Sequence, residues 1–348
     1  AESHQLYRAA RHYGLLDSCV QEADEAVRPM NTAMLYHAIM LLSLTDPFRL
    51  AEGEVGLLFD VLLLHVDECR IIPGNQWSDS GAGLFLVDLQ AAEPPVPCTV
   101  LTSPAKANEP YLLDARQALE NVRERLSSTP ARVRMQSPEA MLLRRLLPEG
   151  EGSGVRREAR YPERRQVELL LGLESIHNHL MAAAAPQRQQ GGESAGDSRS
   201  PLVSCRVLDS SKGGMKLVCD NAGVNDTRVG GLLAVQEGEA GTRTLLLAMI
   251  RSLQVPPEGG MELGVQVLPG GIGPVFCCSP DDHEQSVQGL FMPASEAEEI
   301  GATLIVEKGF YETGRALLID VGGREVNARA GRLVVDSPAF DRFEFSAV

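Results

Sequence analysis

The sequence predicts an α+β protein: a mostly helical or mixed N-terminal region followed by a β-rich remainder. Three features carry that expectation. Apolar residues recur at helical spacing through residues 5–72 and in two further patterns before 149, the pattern shifts to strand-like alternation after "EGEGSG" at 149–154, and no long helical pattern interrupts the β part. With 348 residues, 44% of them apolar, the chain can form two or three domains with ordinary cores.

The front region opens with helical patterns "LYRAARHYGLLDSCV" and "TAMLYHAIMLLSL", then a helix expected to start with Asp46 as cap and Pro47 in the first turn. The run "VGLLFDVLLLHV" at 55–66 reads as a buried helix, because it is far shorter than the ~20 residues needed to span a bilayer. "GLFLVDL" and "CTVLT" read as strands or buried extended pieces. Two further helices are expected in "YLLDARQALENVRERL" and in "PEAMLLRRLLP" after the capping pair Ser137–Pro138. The Gly/Ser/Glu stretch 149–154 marks a domain boundary.

Strands are expected at 167–180, 202–208, 214–219, 231–236, 243–254, 261–268, 288–292, 302–306, 315–320, 324–328 and 332–336. Short strands this closely spaced indicate antiparallel barrels or sandwiches. The segment "APQRQQGGESAGDSRSP" at 185–201 is poor in apolar residues and reads as a mobile insertion.

A net charge of −15 disfavours DNA, RNA or an anionic membrane as whole-surface partners, since polyanions require extended basic faces. Seven cysteines without CxxC spacing suit buried thiols in a reducing cytoplasm, and nothing at the start resembles a secretion signal.

Against this acidity, residues 156–165 hold five arginines, among them Arg160 and Arg164 in R-x-x-x-R spacing with Arg165 adjacent; Arg156/Arg160 is a second such pair. A guanidinium donates two parallel hydrogen bonds and stacks on a base, which suits a compact phosphate-and-guanine ligand. Alone, the run also fits a solvated linker paired with Glu158 and Glu163. Further on, "SCRVLDSSKGGMKLVCD" at 204–220 places Asp209, Ser211 and Gly214 in a D-x-S-x-x-G turn between two strands. Taken by itself this is a polar hairpin; it also sets a carboxylate and a hydroxyl where a ligand edge can meet them.

The two motifs in this order resemble the PilZ family of cyclic di-GMP receptors, with further similarity through "VGGLLAVQ", "LLLAMIRSLQV" and "MELGVQVL". The resemblance covers about 155–270. It implies a six-stranded antiparallel β-barrel in which Arg160, Arg164 and Arg165 supply phosphate and guanine contacts, Asp209 and Ser211 meet guanine, and Gly214 shapes the turn. Arg164 lies farther from Asp209 than is usual in the family, a distance the 185–201 insertion accounts for.

Other constellations are weaker. "GESAG" at 192–196 fits a hydrolase serine motif but lies in the insertion; His177 and His179 would share a strand face without a third metal ligand; "DDHE" at 281–284 reads as a solvated turn; "GGIG" at 270–273 lacks a dinucleotide fold's strand-turn-helix context. The expected organisation is a helical or mixed domain at 1–150, a PilZ-like barrel at 155–270 and a small C-terminal β domain at 271–348. The expected function is that of a cytoplasmic, non-enzymatic receptor binding cyclic di-GMP as ligand, with no cofactor or metal. On binding it changes inter-domain geometry and engages a protein partner. The alternative is a structural or chaperone-like protein with a degenerate barrel.

Overall fold

The computed structural model describes residues 19–20, 30–74, 82–90, 94–100, 110–130, 137–147, 160–184, 202–220, 227–238, 244–256, 259–280, 282–295 and 299–348. The 149–154 stretch, the 185–201 insertion with Ser194, and nearly all of the first expected helix lie outside these residues. The chain divides into two compact units, Ala1–Val155 and Arg156–Val348.

In the first unit, β1 (Cys19–Val20) pairs with β2 (Met30–Asn31). Helix α1 (Thr32–Leu44) starts where the Asn31 side chain accepts a hydrogen bond from the Met34 N–H at 2.8 Å, satisfying one of the orphan donors of the first turn. The helix expected from Asp46 and Pro47 is only a 3₁₀ turn, Pro47–Arg49; Asp46 pairs with Arg49 at 2.9 Å instead of capping. Helix α2 (Glu54–Leu63) follows Gly53. It buries Leu58, Val61 and Leu62 but leaves Val55, Leu57 and Leu64 exposed, so it is amphipathic and not wholly buried.

Strands β3 (Arg70–Pro73), β4 (Leu84–Asp88), β5 (Val96–Pro97) and β6 (Pro110–Asp114) form a sheet in the order β3-β6-β4-β5. Neither β3 nor β6 was expected. "YLLD" begins a segment read as helical, but Leu112 and Leu113 are both buried in a central strand, and helix α3 (Arg116–Ser128) begins only beyond it. Helix α3 packs Ala118, Leu119, Val122 and Leu126 inward, and α4 (Pro138–Leu143) is capped as expected by the Ser137 hydroxyl. Leu41, Leu58, Leu62, Leu113, Leu119 and Leu143 anchor their common core.

The second unit contains two closed antiparallel barrels of six strands each. The first consists of β8 (Gln166–Leu171), β9 (Val203–Ser211), β10 (Gly214–Cys219), β11 (Leu232–Glu237), β12 (Thr244–Gln254) and β13 (Met261–Val267), with β7 (Tyr161–Pro162) prolonging the ladder on β9. Pairing runs β8-β9-β10-β13-β12-β11 and back to β8. Val167, Leu169, Val207, Leu217, Val235 and Leu263 fill the interior. Their strand neighbours Leu170, Leu232, Ala234, Leu247 and Met249 face a second cluster with Leu290, Ile305 and Phe340. Burial on both faces explains why these strands read as continuous apolar runs.

The expected strand 167–180 is instead β8 followed by helix α5 (Leu173–Ala184), with Gly172 at φ +81° making the turn between them. His177 is therefore helical and not on a strand face; it is fully buried, its ring 4.7 Å from that of Phe276. Among the described residues no group of three His, Cys, Asp or Glu could hold a metal.

The second barrel closes as β14-β15-β16-β19-β18-β17 from β14 (Gly273–Ser279), β15 (Asp282–Met292), β16 (Thr303–Glu307), β17 (Ala316–Val321), β18 (Arg324–Asp336) and β19 (Phe340–Ala347). Strand β19 was not expected, β14 holds the vicinal Cys277–Cys278 that the sequence leaves as strand or turn, and β15 begins within the "DDHE" stretch read as a turn. Strand β18 is continuous where two strands were read; register shifts near Leu333 account for the break in alternation.

The reading of all cysteines as thiols is also corrected. Cys205 and Cys219, cross-strand partners on β9 and β10 with Cα atoms 4.3 Å apart, form a disulfide. Cys69, Cys98, Cys277 and Cys278 are buried thiols; burial pushes that of Cys277 up to about 12. No described helix is long and apolar enough to cross a membrane.

Candidate nucleotide site

The arginine segment and the D-x-S-x-x-G turn meet along one ladder. Strand β7 pairs with β9 so that Tyr161 lies opposite Ser210 and Pro162 opposite Asp209. The ladder continues through the Glu163 N–H donating to the Leu208 carbonyl and the Val207 N–H donating to the Arg165 carbonyl, both at 2.9 Å. A register shift between β9 and β10 leaves Leu208 as an extra residue, so the end of β9 is re-aimed. Asp209 therefore stands opposite both Pro162 and Lys216.

Across this ladder an Arg160 Nη1–H donates to Asp209 Oδ1 at 2.5 Å. Their side chains are 31% and 28% exposed, so solvent screens the pair, and such partly exposed pairs contribute roughly 0–1 kcal/mol. A ligand that bonds either group more strongly can displace it. Arg164 is exposed and, among the described residues, has no hydrogen-bond or ion-pair partner. Ser211 Oγ lies 3.4 Å from the Gly214 carbonyl and closes the turn. Gly214 is required by close packing: a Cβ there would run into the Val265 carbonyl of β13.

Arg165 is placed differently. Alternation along the segment turns it, with Glu163, away from Arg160 and Arg164. Its Nη1 lies 2.7 Å from Glu237 Oε1 and its Nε 2.8 Å from Glu163 Oε1, while Nη2 reaches Met215 Sδ at 3.8 Å. The structure thus brings Arg160, Arg164, Asp209, Ser211 and Gly214 to one end of the barrel and holds Arg165, its side chain 36% exposed, in an ion-pair cluster with Glu163 and Glu237. Glu237 was missed from the sequence: it ends β11, about 70 residues from Arg165, and strand pairing alone makes them neighbours.

A cleft of about 720 Å³ opens between the two barrels, lined by Glu174, Thr227, Arg228, Gln288 and Glu307 among others. Among the described residues Arg228 is the only cation in its lining, against two carboxylates, which suits a dianion less well than the Arg160–Arg164 segment does.

Residues 1–74 match the family model described as the cyclic-di-GMP receptor FimW, N-terminal domain. Residues 279–348 match the FimW C-terminal beta-barrel domain. Over these two segments the chain is similar to the terminal domains of a cyclic-di-GMP receptor family. The C-terminal FimW match falls on the second barrel, from the end of β14 through β19, and the Arg160–Asp209 site lies between the two FimW matches. Among curated proteins none matches the chain.

Proposed function

We propose that this protein is a receptor that binds cyclic di-GMP on the first barrel, a PilZ-type module, at the Arg160–Arg164 segment and the Asp209–Gly214 turn. The observation that supports this reading most is the Arg160–Asp209 contact at 2.5 Å, because residues 49 apart in sequence come together with the chemistry a guanine nucleotide needs. Asp209 accepts from the guanine N1–H and amino group, Arg160 leaves Asp209 for a phosphate or a guanine acceptor edge, and Arg164, without a partner among the described residues, neutralises the second phosphate. The weak resident ion pair keeps the site ordered and costs little to exchange.

The FimW matches at both ends of the chain support a receptor role. A messenger made inside cells places its receptor in the cytoplasm. Arg160 lies close to the unit boundary at Val155–Arg156, so its movement on binding re-sets the N-terminal unit against the barrel and alters a surface read by a protein partner. Only a ligand with different affinities for the two arrangements can drive that change.

A second reading, a ligand-independent scaffold, has one observation in its favour: Arg160 and Asp209 already satisfy each other. Calorimetric titration with cyclic di-GMP separates the two. The parent is expected to bind, and Arg164→Ala or Asp209→Ala to lose roughly 2–5 kcal/mol. Equal heats from all three proteins, or none, would leave the scaffold reading.

A further inference from the structure

We infer that Glu237 is a positioning residue that assigns different tasks to the adjacent arginines, holding Arg165 paired on one face of the segment so that Arg164 stays on the other for the ligand; this rests on the proposed nucleotide site. The sequence poses the problem itself. Arg164 and Arg165 are chemically identical neighbours, and successive side chains of an extended segment point to opposite faces. A slip of one residue would exchange them, sending Arg164 to the paired face and moving the outward cation along the segment. Something must choose between the registers.

The backbone contributes the Glu163 N–H to Leu208 and Val207 N–H to Arg165 bonds, yet the register on β9 shifts by one residue between Pro162–Asp209 and Gln166–Arg206, so Glu163–Arg165 is where a slip can be taken up. Side chains decide there. The Arg165 guanidinium sits between Glu237 at 2.7 Å and Glu163 at 2.8 Å, with Met215 behind it. Glu237 is the more enclosed carboxylate, 20% exposed against 33% for Glu163, so water screens its attraction less. Glu163 belongs to the same short segment and moves with any slip. Glu237 is fixed on β11, through Gln236 to β8 and by its own pairing with Thr244 of β12, and so serves as the external reference. A fork that reaches two carboxylates and a sulfur demands arginine; lysine offers a single point charge.

Two readouts on the full-length chain test this. The first needs no ligand: arginine-selective labelling with an α-dicarbonyl reagent, followed by peptide mapping. In the parent, Arg164 should be modified and Arg165 spared; in Glu237→Gln, Arg165 should become reactive. The second is cyclic di-GMP titration with thermal melting beside it. Glu237→Gln should weaken binding roughly three- to tenfold at a temperature where it is fully folded, and the exchange Arg165→Glu/Glu237→Arg should recover affinity relative to either single change. Equal labelling of both arginines in the parent, or parental affinity in Glu237→Gln, overturns the inference. A merely structural role would lower the melting temperature and leave folded-state affinity unchanged. If the parent does not bind, or Arg164→Ala binds like the parent, the nucleotide-site reading fails instead, and the labelling pattern still judges Glu237.

Discussion

The two barrels of the second unit share a six-stranded closed antiparallel plan but differ in how the cations of two local clusters are held. In the second, Lys308 bonds Asp336 and Asp341, Arg332 bonds Glu344 through two nitrogens, Arg342 donates to Thr303, and Arg315 is held by the Phe310 carbonyl and Glu312. In the first, Arg164 is left exposed beside a pair, Arg160–Asp209, that solvent screens. The difference is local, since the first barrel also pairs Arg165 with Glu163 and Glu237 and Lys216 with Glu262, and Arg324 of the second barrel is exposed without a partner among the described residues. A shared fold therefore says little about shared task.

This contrast can be attacked first where the effect is largest. Phe343 is fully buried in the second barrel's core, and Phe343→Ala should cost about 3–5 kcal/mol. Urea denaturation should show the loss while cyclic di-GMP affinity, measured well below the transition, stays parental. Parallel loss of affinity would mean that the barrels do not divide structure from binding.

A smaller effect is expected at Asp341, which is buried and accepts from Lys308 Nζ at 2.8 Å and the Gly309 N–H at 3.2 Å. Asp341→Ala strands those donors and should destabilise by about 1–3 kcal/mol. For the Lys308 amine, burial acts to lower the pKa, but bonds to Asp336 and Asp341 outweigh it and the net shift is upward. A raised pKa means the contribution is complete below the ordinary value of 10.5 and fades as pH rises through the higher folded value. Alkaline melting curves should show this fall in the parent and a weaker one in Asp341→Ala.

The smallest effect concerns the junction. Burial lowers the pKa of His177 below its ordinary 6.5, so the stability tied to its neutral form is present above pH 6.5 and lost as pH falls through the depressed folded value. His177→Leu should flatten the acid limb of the melting temperature against pH; an unchanged limb would show that other groups govern it.

Much of the first barrel was legible. Alternation located β9, β10, β12 and β13 to within a few residues, and the two short motifs named the side chains that the fold brings together. What stayed hidden depends on pairing across long separations. Strand β19 reads "FDRFEFSA", charged and bounded by no strong turn signal on its far side, and becomes a strand only because β16 and β18 flank it. "ESIHNHL" lacks helical caps and was absorbed into the preceding apolar run, although Gly172 marks the break. The Cys205–Cys219 pair has no sequence signature at a separation of 14; only the hairpin register joins it. Glu237 is the same case at the site, and the split roles of Arg164 and Arg165 follow from it.

The most direct test is the structure of the full chain with cyclic di-GMP bound. Guanine on Asp209 and phosphates on Arg160 and Arg164, with the Arg160–Asp209 bond released, is the predicted result. A nucleotide lodged in the cleft between the barrels, with that bond intact, would contradict the account.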